Sequence, residues 1–235
     1  MFFFDPVWFL IMMPPFIFMI YAQMKVSSAF KKYSKVANSQ HITGLEAARA
    51  LLRASGLSNV KIEGVKGRLG DHYDPGKKVL RLSPAVADTP SVAALGIVAH
   101  EVGHAVQDKV GYAFLRFRTS MVPAASVGSS LGFIFVILGF LIYMFSGSEF
   151  GSMAVLAGIF LFSLAVLFSL ITLPVEFNAS NRARQMLRST GMVSVQEYNG
   201  ASAVLSAAAM TYVAATLQAV AQLFYFVLMF MGMRR

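Results

Sequence analysis

Residues 93–107 read A-A-L-G-I-V-A-H-E-V-G-H-A-V-Q, and the organisation of the chain follows from taking them as one helix. His100 and His104 stand four apart with Glu101 between them, the H-E-x-x-H spacing. On an α-helix, positions i and i+4 lie about 40° apart on one face and about 6 Å apart along the axis, so both imidazoles can reach one tetrahedral zinc. Glu101 then lies beside the metal without ligating it. A carboxylate there can take the proton of a water that attacks a carbonyl. The flanks support a helix: Ala93, Ala94, Leu95, Ile97 and Val98 precede the motif, Thr89-Pro90 marks the expected start and Asp108 the expected end. Gly103 costs about 1 kcal/mol of helix propensity relative to alanine, which implies that something approaches the backbone closely there.

The composition around this helix is that of an integral membrane protein. Hydrophobic residues make up 57% of the 235 and charged residues only 13%, with 21 Phe and 14 Met. The net charge of +9 does not indicate nucleic acid, because the basic residues flank apolar segments and form no aromatic-interleaved patch. The chain has no cysteine, so a zinc must be held by His, Asp or Glu. His41, His72, His100 and His104 are the only histidines.

Segmentation follows the apolar runs. Residues 1–22 form the first transmembrane segment, with Met1 to Phe4 extending a short apolar run towards the roughly 20 residues a bilayer needs. Basic residues follow this segment and do not precede it, so it does not read as a cleavable signal, and Pro14-Pro15 are expected to kink or break it. Residues 23–120 are the polar, zincin-like α+β domain. Thr43 and Glu46 form a capping-box pattern that opens a helix ending at Gly56. Val60 to Val65 and Lys78 to Leu82 alternate as strands, and Asp74-Pro75-Gly76 is a turn. Residues 121–173 hold the second and third transmembrane segments. Residues 174–200 are a polar helix with Pro174 in its first turn, and 201–235 hold the fourth span. The fold class expected is an α-helical integral membrane protein carrying a small α+β zincin-like domain: the H-E-x-x-H helix plus a short sheet.

Charge orients the spans. Eighteen of the twenty Lys and Arg lie in 23–120 and 174–200, which four spans place on the same side, and that side is expected to be the cytoplasm. Arg234-Arg235 are the exception. The two polar segments are thereby brought together, and the second should supply a third zinc ligand. Glu176 is its leading candidate, with His72, Asp71, Asp74, Asp108 and Glu197 as alternatives.

The run at 93–107, the upstream D-H-Y-D-P-G-K-K-V-L-R-L-S (71–83) and the downstream L-P-V-E-F-N-A-S-N-R-A (173–183) together resemble the YugP-type neutral zinc metallopeptidases of bacterial membranes. More distantly, H-E-x-x-H followed by E-F-x-A resembles gluzincins of the HtpX and CAAX prenyl protease type. The resemblance implies a membrane-embedded zinc endopeptidase in which Glu176 joins His100 and His104 on the metal and Glu101 is the general base. In the distant relatives an aspartate four residues after the ligand glutamate supports a zinc histidine. Ser180 stands there in this chain, and Asn178 occupies a position at which the nearer family is expected to carry aspartate.

The partners expected are a peptide or protein substrate, misfolded and membrane proteins among them, and the lipid bilayer; nucleic acid is excluded. Lys77 to Leu82 could offer a free strand edge to an extended peptide. His72, Tyr198 and Tyr212 are the candidates for stabilising the oxyanion. A scaffold or binding protein with a structural zinc is the rival reading, which a fourth protein ligand would favour. A transporter is disfavoured because the cores of the four spans carry no ionisable residue.

Overall fold

A computed structural model of the chain describes residues 5–67 and 70–233. The proposed extension of the first span by Met1 to Phe4 and the exceptional Arg234-Arg235 pair lie outside the described residues. Contacts divide the chain into two compact units. One holds Ala22–Arg116 and Pro174–Thr211; the other holds the residues up to Tyr21, Phe117–Leu173 and the residues from Tyr212 onward.

In the first unit, α2 (Gly44–Ala54) opens with both halves of the capping box in place. The Glu46 backbone N–H donates to Thr43 Oγ1 at 3.3 Å, and the Thr43 N–H donates to Glu46 Oε2 at 2.7 Å. Ala47, Ala48, Leu51 and Leu52 form its buried face, and Gly56 ends the turn at φ +65°, a conformation that favours glycine. The sheet has three strands, β1 (Lys61–Gly64), β2 (His72–Asp74) and β3 (Val79–Leu82), in the order β1-β3-β2. β1 runs parallel to β3, and β2 runs antiparallel to it. The strand expected to offer a free edge is therefore the central one. Its two sides are already paired, and the edges belong to β1 and β2.

A short helix, α3 (Pro84–Ala87), precedes the motif helix α4 (Val92–Lys109). The start of α4 is set by Ser91, whose side chain accepts from the Ala94 N–H at 3.2 Å. Thr89 does not cap it, because its hydroxyl donates to the Ala85 carbonyl at the end of α3. Leu51, Leu80, Leu82, Val86, Leu95, Val98, Val102, Leu187 and Leu205 fill one core, so α2, the sheet, α4 and two later segments enclose it.

Among the described residues, four helices are long and apolar enough to cross a membrane: α1 (Pro6–Tyr33), α5 (Ala113–Ser146), α6 (Glu149–Ser189) and α7 (Val195–Met233). Pro14-Pro15 do not break α1. Their helical φ fits, and what is lost is the N–H bond to the carbonyls of Leu10 and Ile11. Nor does Pro174 begin a new helix. α6 runs unbroken from the apolar segment through Ser189, so Glu176 lies deep inside a helix and not in its first turn. In the helical unit, Tyr225 and Phe226 of α7 pack with Val136 of α5 and with Phe162 of α6. A Cβ on Gly139 would lie 2.7 Å from the Val155 nitrogen, so the backbones of α5 and α6 touch there.

Candidate metal centre

The site is built from residues of the first unit that lie on two helices. α4 supplies His100, Glu101 and His104; the second half of α6 supplies Glu176. A glycine sets their approach. A Cβ on Gly103 would stand 2.7 Å from the carbonyl oxygen of Ala179, so the space for α6 exists because position 103 has no side chain.

Across that contact His100 Nε2 lies 3.2 Å and His104 Nε2 3.6 Å from Glu176 Oε2. The three donor atoms all fall within 4.8 Å of one another, and among the described residues no fourth His or carboxylate joins the group. Two donors on one tetrahedral zinc, each roughly 2.0–2.1 Å from the ion, are about 3.3 Å apart. The observed spacings match that requirement. Glu176 is 2% exposed in the middle of a helix, where no helix end explains a carboxylate.

The far side of each imidazole is also held. His100 Nδ1 meets Ser180 Oγ at 3.2 Å, so the serine in place of aspartate supplies a neutral partner. His104 Nδ1 meets Gln107 Oε1 at 3.0 Å. Gln107 is fully buried, and its Nε2 donates to the Val175 carbonyl at 2.8 Å and to Asn178 Oδ1 at 3.0 Å. Arg182 Nε donates to the same Asn178 oxygen at 2.8 Å. Sequence reasoning missed Gln107. Its signal was present, since it follows His104 by three positions on the same helix.

Glu101 is buried, and its Oε2 accepts the Tyr73 backbone N–H at 3.0 Å, tying α4 to the edge strand β2. The Tyr73 hydroxyl donates to Asp108 Oδ2 at 2.7 Å, and Lys78 pairs with that same oxygen. Burial pushes the Glu101 carboxyl above its usual range, and the charge of Glu176 adds to the effect while His100 and His104 oppose it. Burial would likewise raise Glu176, but hydrogen bonds from His100 and His104 outweigh it and hold that carboxyl well below the ordinary range. His104 is raised: burial acts against its charged form, and the Glu176 hydrogen bond and the two carboxylates prevail.

The other candidates stand elsewhere. His72 is engaged on both ring nitrogens, by the Gly70 carbonyl at 2.8 Å and by Arg81 at 3.2 Å. Asp71 accepts from the Ser83 N–H and hydroxyl, Asp74 pairs with Arg81, and Glu197 accepts from Ser39 and Ser194. Tyr198 lies under the Arg188 guanidinium, 4.5 Å from its ring centre.

Residues 8–231 match the family described as "Putative neutral zinc metallopeptidase". The chain belongs to that family, and its metal is zinc. Over 215 residues it is 45% identical to the protein named "Putative membrane protease YugP" of Bacillus subtilis (strain 168), an alignment that covers 91% of this chain and 92% of the relative. No solved structure matches it.

Proposed function

We propose that this member of the zinc metallopeptidase family is an endopeptidase in which His100, His104 and Glu176 hold the zinc and Glu101 is the general base. The observation that carries the reading is the meeting of the three donor atoms from α4 and α6, with Glu101 beside them and no fourth protein ligand among the described residues. Three ligands suit a catalytic site that keeps a position open; a structural zinc takes four.

When bound there, zinc supplies a Lewis acid that polarises the scissile carbonyl and acidifies water. Glu101 uses one oxygen to hold the Tyr73 N–H, which leaves the other to accept the proton of the attacking water. As the water oxygen bonds to the carbonyl carbon and the C–N bond breaks, Glu101 hands that proton to the leaving amine. Burial raises the affinity of this carboxylate for a proton, which is the direction a general base requires.

Because β3 is paired on both sides, an extended peptide would lie along one of the edge strands, β1 or β2. Main-chain pairing of that kind selects for flexible segments, so unfolded stretches of misfolded or membrane proteins are the substrates proposed. The charge distribution supports an active site on the cytoplasmic side of the cell membrane. Glu101→Gln tests the mechanism: the purified variant should keep zinc and lose proteolysis, and turnover by the zinc-loaded variant would refute it.

A further inference from the structure

We propose that Arg182, acting through Asn178 and Gln107, fixes the tautomer of His104 so that Nε2 presents a lone pair towards the metal. The inference rests on the reading of His104 as a zinc ligand. A guanidinium only donates hydrogen bonds and stays charged at any working pH. The Asn178 atom 2.8 Å from Arg182 Nε must therefore be the amide oxygen. The end of Gln107 that lies 3.0 Å from this oxygen must be its NH2 group, which also lies 2.8 Å from a second pure acceptor, the Val175 carbonyl.

Gln107 is thus oriented twice over. Its other end is Oε1, 3.0 Å from His104 Nδ1, and an oxygen there requires that Nδ1 carry the proton. Turning the buried amide over would set its oxygen against two acceptors. His100 is held differently. Its Nδ1 partner, the Ser180 hydroxyl, can donate or accept, so it prescribes no tautomer. One imidazole is preset for the metal by a chain of one-way hydrogen bonds, and the other is free to adjust. Gln107, Asn178 and Arg182 are positioning residues, since none of them reaches the reacting atoms.

The test measures the zinc dissociation constant of the detergent-solubilised full chain by competition with a chromophoric chelator, alongside the melting midpoint of the metal-free protein. Gln107→Leu should weaken zinc about tenfold or more, and Arg182→Met by a smaller factor of about threefold. Arg182→Lys keeps a donor-only group and Asn178→Asp keeps the acceptor, so both should bind within about twofold of wild type. Wild-type affinity in Gln107→Leu and Arg182→Met would overturn the proposal. So would an Arg182→Lys loss equal to that of Arg182→Met, which would mark a packing effect. If Gln107→Leu does not fold, the two variants at the half-buried Arg182 decide the matter. His104→Ala separates the two claims: loss of its zinc supports the ligand reading whatever Arg182 does, and retention overturns that reading and this proposal with it.

Discussion

Helices in this protein meet backbone to backbone over glycines, and two of these contacts answer to different demands. At Gly103 the neighbour is the Ala179 carbonyl, and the same contact sets His100 and His104 against Glu176. At Gly139 the neighbour is the Val155 nitrogen in an apolar stretch of α5 and α6. Donor atoms that must sit about 3.3 Å apart tolerate little displacement. Apolar helices in lipid gain from close packing but have no metal geometry to satisfy. The same residue type thus serves precision in one region and contact area in the other.

The largest expected effect breaks the first contact alone. Gly103→Ala should place a methyl against the Ala179 carbonyl, destabilise the protein by about 1–3 kcal/mol and lower zinc affinity by more than about tenfold. Gly139→Ala should cost comparable stability and leave zinc affinity in place. Chelator competition on both variants checks this, and equal zinc losses would erase the distinction between the two regions.

Removing the metal sharpens the contrast from the other side. Zinc at a hundred times its dissociation constant stabilises the state that binds it by about 2.7 kcal/mol. Chelation should therefore raise hydrogen exchange in α4 and in the part of α6 beyond Pro174, while exchange in α5 stays as it was. A smaller effect is expected at the link between β2 and Asp108. Tyr73→Phe removes one hydrogen bond, for a loss of about 1 kcal/mol, and should lower kcat with little change in zinc affinity.

The smallest effect is a pH dependence. The Glu46 carboxyl is held below its usual range by the Thr43 backbone N–H first and the Thr43 hydroxyl second. A depressed folded pKa means that the carboxylate's contribution is present above the unfolded value and is lost as pH falls through the folded one. The melting-point gap between wild type and Glu46→Gln should shrink as the solution is acidified below the ordinary glutamate range. A constant gap would remove the charge from the explanation of this cap.

Much of this arrangement was legible in the sequence because short-range rules governed it. The Thr43 cap, the two principal strands, the H-E-x-x-H face and the need for close approach at Gly103 all follow from spacing within a few residues. What the sequence hid was set at longer range. Which side of β3 is covered depends on β2, a three-residue strand too short to show a period. Pro174 looked like a helix start because a local rule says so, yet continuity of α6 outweighs one missing hydrogen bond. Ser180 became interpretable only once α4 and α6 faced each other, because a serine carries no sign of which imidazole lies behind it, whereas the spacing of Gln107 from His104 was open to reading within α4.

In the proposed site zinc is held by two helices meeting at Gly103, and Glu176 is the only one of the three proposed ligands that α6 supplies. Zinc content of folded, detergent-solubilised Glu176→Ala, measured beside wild type after dialysis against a weak chelator, tests that claim most directly. One zinc per chain is expected in wild type, with loss of the metal in a variant that still melts cooperatively. Full zinc occupancy in the folded variant would contradict that claim and place the third ligand elsewhere.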